Sequence, residues 1–202
     1  MSLKIAVFID GTWLWHNMTR LKTQHGCKID LGKLPQWIVQ QIQDLYLASL
    51  KYEMTIFCAS LPINVDNRDE RMVSGMKSFY ELLQKAFNYT VEIYDLDFKG
   101  RRYLKQDRDP LDSWEPKEKC VDVALATNII YHIAINTCDV AVIVAGDRDF
   151  QPVFEKVRAL EKNIHLVSFR ESCSEELLKE SPIWINDHLS TLGFSKDLAH
   201  FF

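Results

Sequence analysis

The sequence predicts an α/β fold, a three-layer α/β/α sandwich around a mainly parallel five-stranded sheet, and three observations carry that expectation. Short, nearly continuous apolar runs rich in β-branched residues recur along the chain, as at residues 4–9 and 140–145. A strand covered by helices on both faces reads this way, whereas a half-exposed strand alternates. Segments with apolar spacing of three and four separate these runs, and right-handed crossovers wind such an alternation into a parallel sheet. Two of the runs end in an acidic turn, Asp10-Gly11-Thr12 and Gly146-Asp147-Arg148-Asp149. In parallel sheets the carboxyl ends of the strands are where ligands bind.

The first strand, residues 4–9, passes through Gly11-Thr12 into a helix expected over residues 13–25. Pro35 suits the first turn of a second helix, and Trp37, Ile38, Ile42, Leu45 and Leu50 carry its apolar pattern onward. Residues 52–59 form the second strand and residues 61–65 a connecting loop. From residue 67 to 87, Met72, Met76, Phe79, Leu82, Leu83 and Phe87 mark a long amphipathic helix, followed by a third strand at 90–96. Residues 99–119 break the rhythm with seven basic and five acidic residues, two prolines and no sustained apolar period. Irregular segments of that length are uncommon in compact domains unless they act as lids or binding loops. An apolar helix at 121–135, a strand at 140–145, a helix at 150–163, a strand at 164–169 and a helix at 172–179 complete the pattern.

At 202 residues the chain is the size of one domain. A net charge of −4 with 47% apolar residues excludes a disordered chain and a uniformly basic duplex-coating protein, so any nucleic-acid contact must be local. Cys27, Cys58, Cys120, Cys138 and Cys173 are odd in number and lack CxxC spacing. They point to reduced thiols, with Cys58 and Cys138 in the core, rather than a disulfide framework or zinc ribbon. The start of the chain lacks a secretory pattern and no apolar run reaches about 18 residues, so a cytoplasmic protein without membrane contact is expected. The domain is expected over residues 1–192, with 193–202 a tail carrying Phe194, Phe201 and Phe202 that either docks or frays. Trp37 reads as core or interface, which leaves a homodimer open.

Asp10, Asp122, Asp147 and Asp149 carry the chemistry. Two carboxylates two residues apart after a glycine turn can approach one ion, although Asp149 also suits a helix cap and Asp147 an acceptor of loop amides. Asp10 repeats the same grammar of strand, acid and small turn residue, and Asp122 opens a helix whose amides face the same edge. Crowded carboxylates resist burial unless a cation neutralises them. An oxygen-only set, without an aligned His pair or Cys, favours Mg²⁺ or Mn²⁺ over zinc. His132 and His165 fall in apolar segments and read as packed side chains.

Phe8-Ile9-Asp10-Gly11, Lys119-Cys120-Val121-Asp122-Val123-Ala124-Leu125-Ala126-Thr127 and Gly146-Asp147-Arg148-Asp149-Phe150 resemble, in this order and at comparable intervals, the signature segments of the NYN domain family. That family belongs to the PIN-like nuclease group and includes LabA-like bacterial proteins; the resemblance covers about residues 3–190. It implies a Rossmann-like (PIN-like) fold with strand order 3-2-1-4-5 and hydrolysis of single-stranded or structured RNA. It also implies that Asp10, Asp122, Asp147 and Asp149 form a cluster binding Mg²⁺ or Mn²⁺. The chain departs from the pattern at Trp13, where members commonly carry Asn, with Asn17 one turn later. It departs again at Cys120, often glycine, and at Asn128, often acidic. Asp10-Gly11-Thr12 also resembles the start of haloacid-dehalogenase-like phosphatases, but their nucleophile would stand at Phe8, so an aspartyl-phosphate route lacks its first residue.

The expected activity is metal-dependent hydrolysis of RNA phosphodiester bonds by metal-activated water. Asp10 and Asp147 are the expected direct ligands, with Asp122 and Asp149 as ligands or as acceptors from bound waters. Substrate contacts are expected from Lys99, Arg101, Arg102, Lys105 and Arg108, interleaved with Phe98 and Tyr103, since single-stranded RNA needs phosphate contacts and stacking rings. Arg148, between two acidic residues, joins them, with Arg68 and Arg71 as secondary candidates. Trp13 and Trp15 either stack on a base or bury against the sheet. Trp13 and Asn128 sustain an alternative, a non-catalytic RNA- or nucleotide-binding regulatory protein of the same fold.

Overall fold

The computed structural model, which describes residues 2–63, 65–115 and 119–192, places β1 (Leu3–Asp10) in the middle of the sheet with Ile5 through Ile9 fully buried. The tail expected at 193–202 lies outside the described residues. Around β1 stand β2 (Leu50–Pro62), β3 (Thr90–Leu96), β4 (Val140–Val144), β5 (Asn163–Ser168) and β6 (Ile183–Trp184). Their order is β3-β2-β1-β4-β5-β6, and each neighbouring pair is parallel. The expected order of five strands is present, extended at one edge by the two residues of β6. So short a strand leaves no apolar run in a sequence to announce it.

Alternation sends the strands' side chains into two cores. Ile5, Val7, Ile9, Val140, Val142 and Val144 enter one, under α1 (Gly11–His25), α2 (Leu34–Gln43) and α3 (Glu70–Phe87). Ala6, Phe8, Ala141, Ile143 and Ala145 enter the other, under α4 (Val121–Ala134) and α5 (Gln151–Ala159). This double coverage is why the central strands read as continuous apolar runs. In β2 the alternation breaks once. The register with β1 shifts between Ile5 and Ala6, so that Glu53 is an extra residue; Tyr52 packs with the first core, Met54 and Ile56 with the second. Asp10 consequently lies opposite Cys58, and Cys58 opposite Glu92.

Several helices are shorter than their apolar patterns suggest. The second helix ends at Gln43 rather than continuing toward Leu50. There the Gln43 amide donates to the Ala48 carbonyl (3.1 Å) and accepts the Leu50 N–H (2.8 Å), closing a turn that starts β2 early and leaves Leu45 and Leu47 exposed. The helix expected to 163 stops at Ala159, because Asn163 already belongs to β5. The helix expected at 172–179 is instead a pair of 3₁₀ turns, Arg170–Ser172 and Glu175–Glu180.

Two glycines let backbone segments meet at the C-terminal edge of the sheet. A β-carbon on Gly11 would come within 2.2 Å of the Phe57 ring and 2.8 Å of the Cys58 carbonyl oxygen. On Gly146 it would meet the Ser172 carbonyl oxygen at 2.0 Å and the Trp13 indole nitrogen at 2.6 Å. The neighbour at Gly146 is main chain and cannot rotate aside. Gly146→Ala is therefore expected to destabilise the fold by about 1–3 kcal/mol, the usual cost of overpacking. Urea denaturation should show a lower midpoint at unchanged slope; an unchanged midpoint would refute the close approach.

Candidate functional site

The acidic edge is assembled from three elements. Asp10 ends β1 and caps α1: its backbone is extended (φ −70°, ψ 99°), and its Oδ1 accepts the Trp13 N–H at 2.9 Å. Only 5% of the residue is exposed. Because Ile9 pairs with Val144, the chain leaves β1 and β4 side by side, bringing Gly146-Asp147 next to Asp10-Gly11. Asp147 caps the 3₁₀ turn Arg148–Phe150, its Oδ1 accepting the Asp149 N–H at 2.9 Å, and Asp147, Arg148 and Asp149 are all exposed. Asp122 lies half-buried in the first turn of α4. Burial pushes its carboxyl up from the ordinary carboxylate range, and the charges of Asp147 and Asp149 push it further. The three acids thus share one electrostatic neighbourhood. Among the described residues, no group of three or more His, Cys, Asp or Glu closes into a metal-holding cluster. The donors are nonetheless all carboxylate oxygens, the chemistry of a hard cation.

Cys120, immediately before α4, adopts φ 75°, the left-handed region where glycine is at ease. Asn17 is 4% exposed and serves as a brace: its Nδ2 donates to the Trp13 carbonyl (2.8 Å), and its Oδ1 accepts from Ser172 Oγ (2.7 Å) and Arg20 (2.9 Å). Trp13 points the same way, its indole N–H donating to the Ser172 carbonyl (3.1 Å) and its ring packing on Phe169 at 5.5 Å. Both side chains tie α1 to the segment after β5.

An acid absent from the sequence-level set completes the row. Glu92 on β3 accepts from Asn128 Nδ2 (2.9 Å), from the Tyr94 hydroxyl (2.8 Å) and from the Cys58 thiol (3.7 Å). Asn128 brings no charge itself but holds one in place. Burial pushes the Cys58 thiol up to about 12, with Glu92 adding to the effect, so it stays protonated. The signal in the sequence is a single charge within Val91-Glu92-Ile93-Tyr94, a pattern that solvent-facing positions of edge strands also show. The histidines pack as expected: His132 Nδ1 bonds Thr137 Oγ1 and His165 Nε2 bonds the Tyr46 hydroxyl, each at 2.7 Å.

The basic loop after β3 folds around its own aromatic centre. Phe98, 2% exposed, meets Tyr103 and Trp114 edge-on at 5.5 and 6.1 Å. Arg108 lies 5.2 Å from the Phe98 ring and donates to the carbonyls of Arg102 (2.8 Å), Tyr103 (3.0 Å) and Trp114 (3.3 Å). Arg101 stacks over Trp114 at 4.5 Å and pairs with Asp112. Arg102 pairs with Asp66 (2.9 Å), Arg68 with Asp107 (3.2 Å), Arg148 with Glu176 (3.3 Å) and Lys105 with Glu115. Lys99 and Arg71 are exposed, Lys99 in a left-handed turn at φ 51°. Much of the loop's positive charge is therefore committed to holding the loop's shape.

The NYN domain family model matches residues 4–186, nearly the whole chain. The chain belongs to the NYN domain family. A crystal structure of a protein of unknown function from Vibrio parahaemolyticus has the same fold, with a TM-score of 0.57 at 16% identity over 92% of this chain and 94% of that one. No curated protein matches. The NYN family is nuclease-like, and membership implies a nucleic-acid substrate.

The crowding of carboxylates in this NYN domain has a measurable cost. With its folded-state pKa raised above the unfolded value, Asp122 destabilises the fold when ionised, and the penalty disappears as pH falls through the raised pKa toward the ordinary carboxylate value. Asp122→Asn is expected to raise the Tm in EDTA at pH 7 by roughly 1–2 °C, a small gain because the site is partly screened by solvent. That gain should vanish under acid conditions. A Tm lowered at both pH values would instead mark Asp122 as a structural cap.

Proposed function

We propose that this NYN domain is a metal-dependent ribonuclease, with Asp10, Asp122, Asp147 and Asp149 holding Mg²⁺ or Mn²⁺. The observation that carries the reading is the adjacent exit of β1 and β4, which sets Asp10 beside the Asp147–Asp149 turn. Asp122 lies near enough that, beyond the larger effect of its burial, Asp147 and Asp149 raise its carboxyl further. Mutual repulsion of this kind is expensive in a protein that merely binds a polyanion and is relieved by a cation. A bound divalent ion would supply Lewis acidity toward the phosphoryl group and a water of lowered pKa. The chain's own residues position and exclude. Asp10, fixed by its cap to α1, holds its carboxylate at the strand end, while Glu92 and Asn128 define the flank by α4. Cys58, held as a thiol, offers no nucleophile, which accords with direct hydrolysis.

Lys99, Lys105 and Arg148 are the proposed phosphate contacts, since exposed ion pairs such as Lys105–Glu115 and Arg148–Glu176 exchange readily for phosphate. Arg101, Arg102 and Arg108 shape the loop that presents Tyr103, with Arg68 and Arg71 flanking it. Five free cysteines accord with a cytoplasmic setting. No described helix is long and apolar enough to cross a membrane. The second reading, a non-catalytic RNA- or nucleotide-binding regulatory protein, draws on the open spacing of the carboxylates among the described residues.

Cleavage of a labelled single-stranded RNA decides between them. The wild-type protein should cut with Mn²⁺ or Mg²⁺ and stop in EDTA, and folded Asp147→Asn, purified in parallel, should lose at least roughly 10²-fold. Equal cleavage by both proteins would expose a contaminant. Metal-independent binding without cleavage would establish the regulatory reading. Lys99→Ala with Lys105→Ala should flatten the salt dependence of RNA binding by about 0.7 per lost contact. Arg108→Ala should loosen the loop itself, seen as faster proteolysis near residue 108.

A further inference from the structure

The loop borders a cavity of about 310 Å³, set against α1, α3 and the ends of β2 and β3. Trp15, Tyr80 and Tyr103 give it aromatic walls, Thr12 and Ser60 contribute hydroxyls, and Lys105 supplies a cation. Its size falls at the lower end of small-ligand sites, and its mixture of rings with a few polar groups is what such sites use. Thr12 stands two residues beyond Asp10, so the cavity adjoins the acidic edge rather than lying elsewhere on the surface.

Several features make this a built site. The Tyr103 ring is fixed from behind by buried Phe98 at 5.5 Å, and its backbone N–H is anchored to Oδ2 of fully buried Asp69 at 3.0 Å. Its hydroxyl spends its hydrogen on Met76 Sδ at 3.5 Å, a weak acceptor that an incoming heteroatom can replace. Thr12 Oγ1 and Ser60 Oγ lie 3.3 Å apart, and each has hydrogen-bonding capacity beyond that contact. Lys105 is 74% exposed, and its ion pair with Glu115 is a surface pair.

We propose that this cavity is a nucleobase pocket, taking one base of a single-stranded RNA whose phosphates run past Lys105 toward the acidic edge. Aromatic faces stack any base, hydroxyls read its edge, and a neighbouring cation meets its phosphate. The polymer's identity rests on the ribonuclease reading, whereas base capture does not. Binding measured in EDTA, where cleavage is silent, separates the two.

The experiment titrates a short single-stranded RNA, the same RNA with single abasic positions, and the four nucleoside monophosphates into the full chain in EDTA, followed by calorimetry and tryptophan fluorescence. Leu104→Trp, which fills the cavity from its loop side, should weaken binding of the intact RNA by roughly 5- to 100-fold, the worth of one base stacked on an aromatic ring. One abasic position should cause the same loss, and the two changes together no more than either alone. Tyr103→Leu is the second variant, should Leu104→Trp perturb folding. Wild-type affinity in both folded variants would overturn the proposal. So would additive losses, or no binding of RNA and nucleotides at millimolar concentration. A nucleoside monophosphate binding as tightly as the RNA would reassign the cavity to free nucleotide.

Discussion

Asp10 sits nearly dry at the end of a strand buried from Ile5 onward, and its carboxylate is tolerable there because the chain turns at once into α1. The first amides of that helix, with their partial positive charge, face the acid. The turn requires Gly11, whose missing β-carbon leaves room for Phe57, and the parallel departure from β4 requires Gly146, which leaves room for the strap at Ser172. Trp13 and Asn17 then bolt α1 to that strap from the other side. Asp10, Asp147 and Asp149 inherit their positions from these close backbone contacts, so much of the site's electrostatics follows from steric fit.

The central strands were legible because coverage on both faces leaves no polar position to dilute their apolar runs, and the acids ending β1 and β4 stood out for the same reason. The limits of the helices were less legible. An apolar residue such as Leu45 looks alike whether it lies under a helix or on an exposed turn, and only the Gln43 side chain bonding across that turn decides it. The strand β6 pairs two residues, too few for any periodicity. Glu92 was hidden because its partners, Asn128 and Cys58, lie 36 and 34 residues away in sequence.

The basic loop shows what composition alone cannot apportion. A count of arginines does not tell which are spent on neighbours, and here the spending is extensive: Arg108 satisfies three carbonyls and Arg101 and Arg102 face carboxylates. Guanidinium groups suit that work, since their fixed fork of donors can satisfy several acceptors at once and their planes stack on rings. The lysines, with a single mobile charge, are left nearer the solvent. The loop's length reflected a small aromatic core of its own as much as a surface for a ligand.

The extra residue at Glu53 reaches further than its place near the start of an exposed strand end suggests. Before it, Leu50 and Tyr52 face the helices α1 to α3; after it, even-numbered residues face α4 instead. Because Tyr52 pairs with Ile5 and Met54 with Ala6, deleting that one residue would close β2 into unbroken alternation, leaving Phe57 in the first core and Cys58 beside Glu92. Losing a second residue would shift the register by one and turn the rest of the strand inside out. A drifting lineage could shed residue 53 and keep every facing of β2, but the next single-residue gap would exchange its two cores.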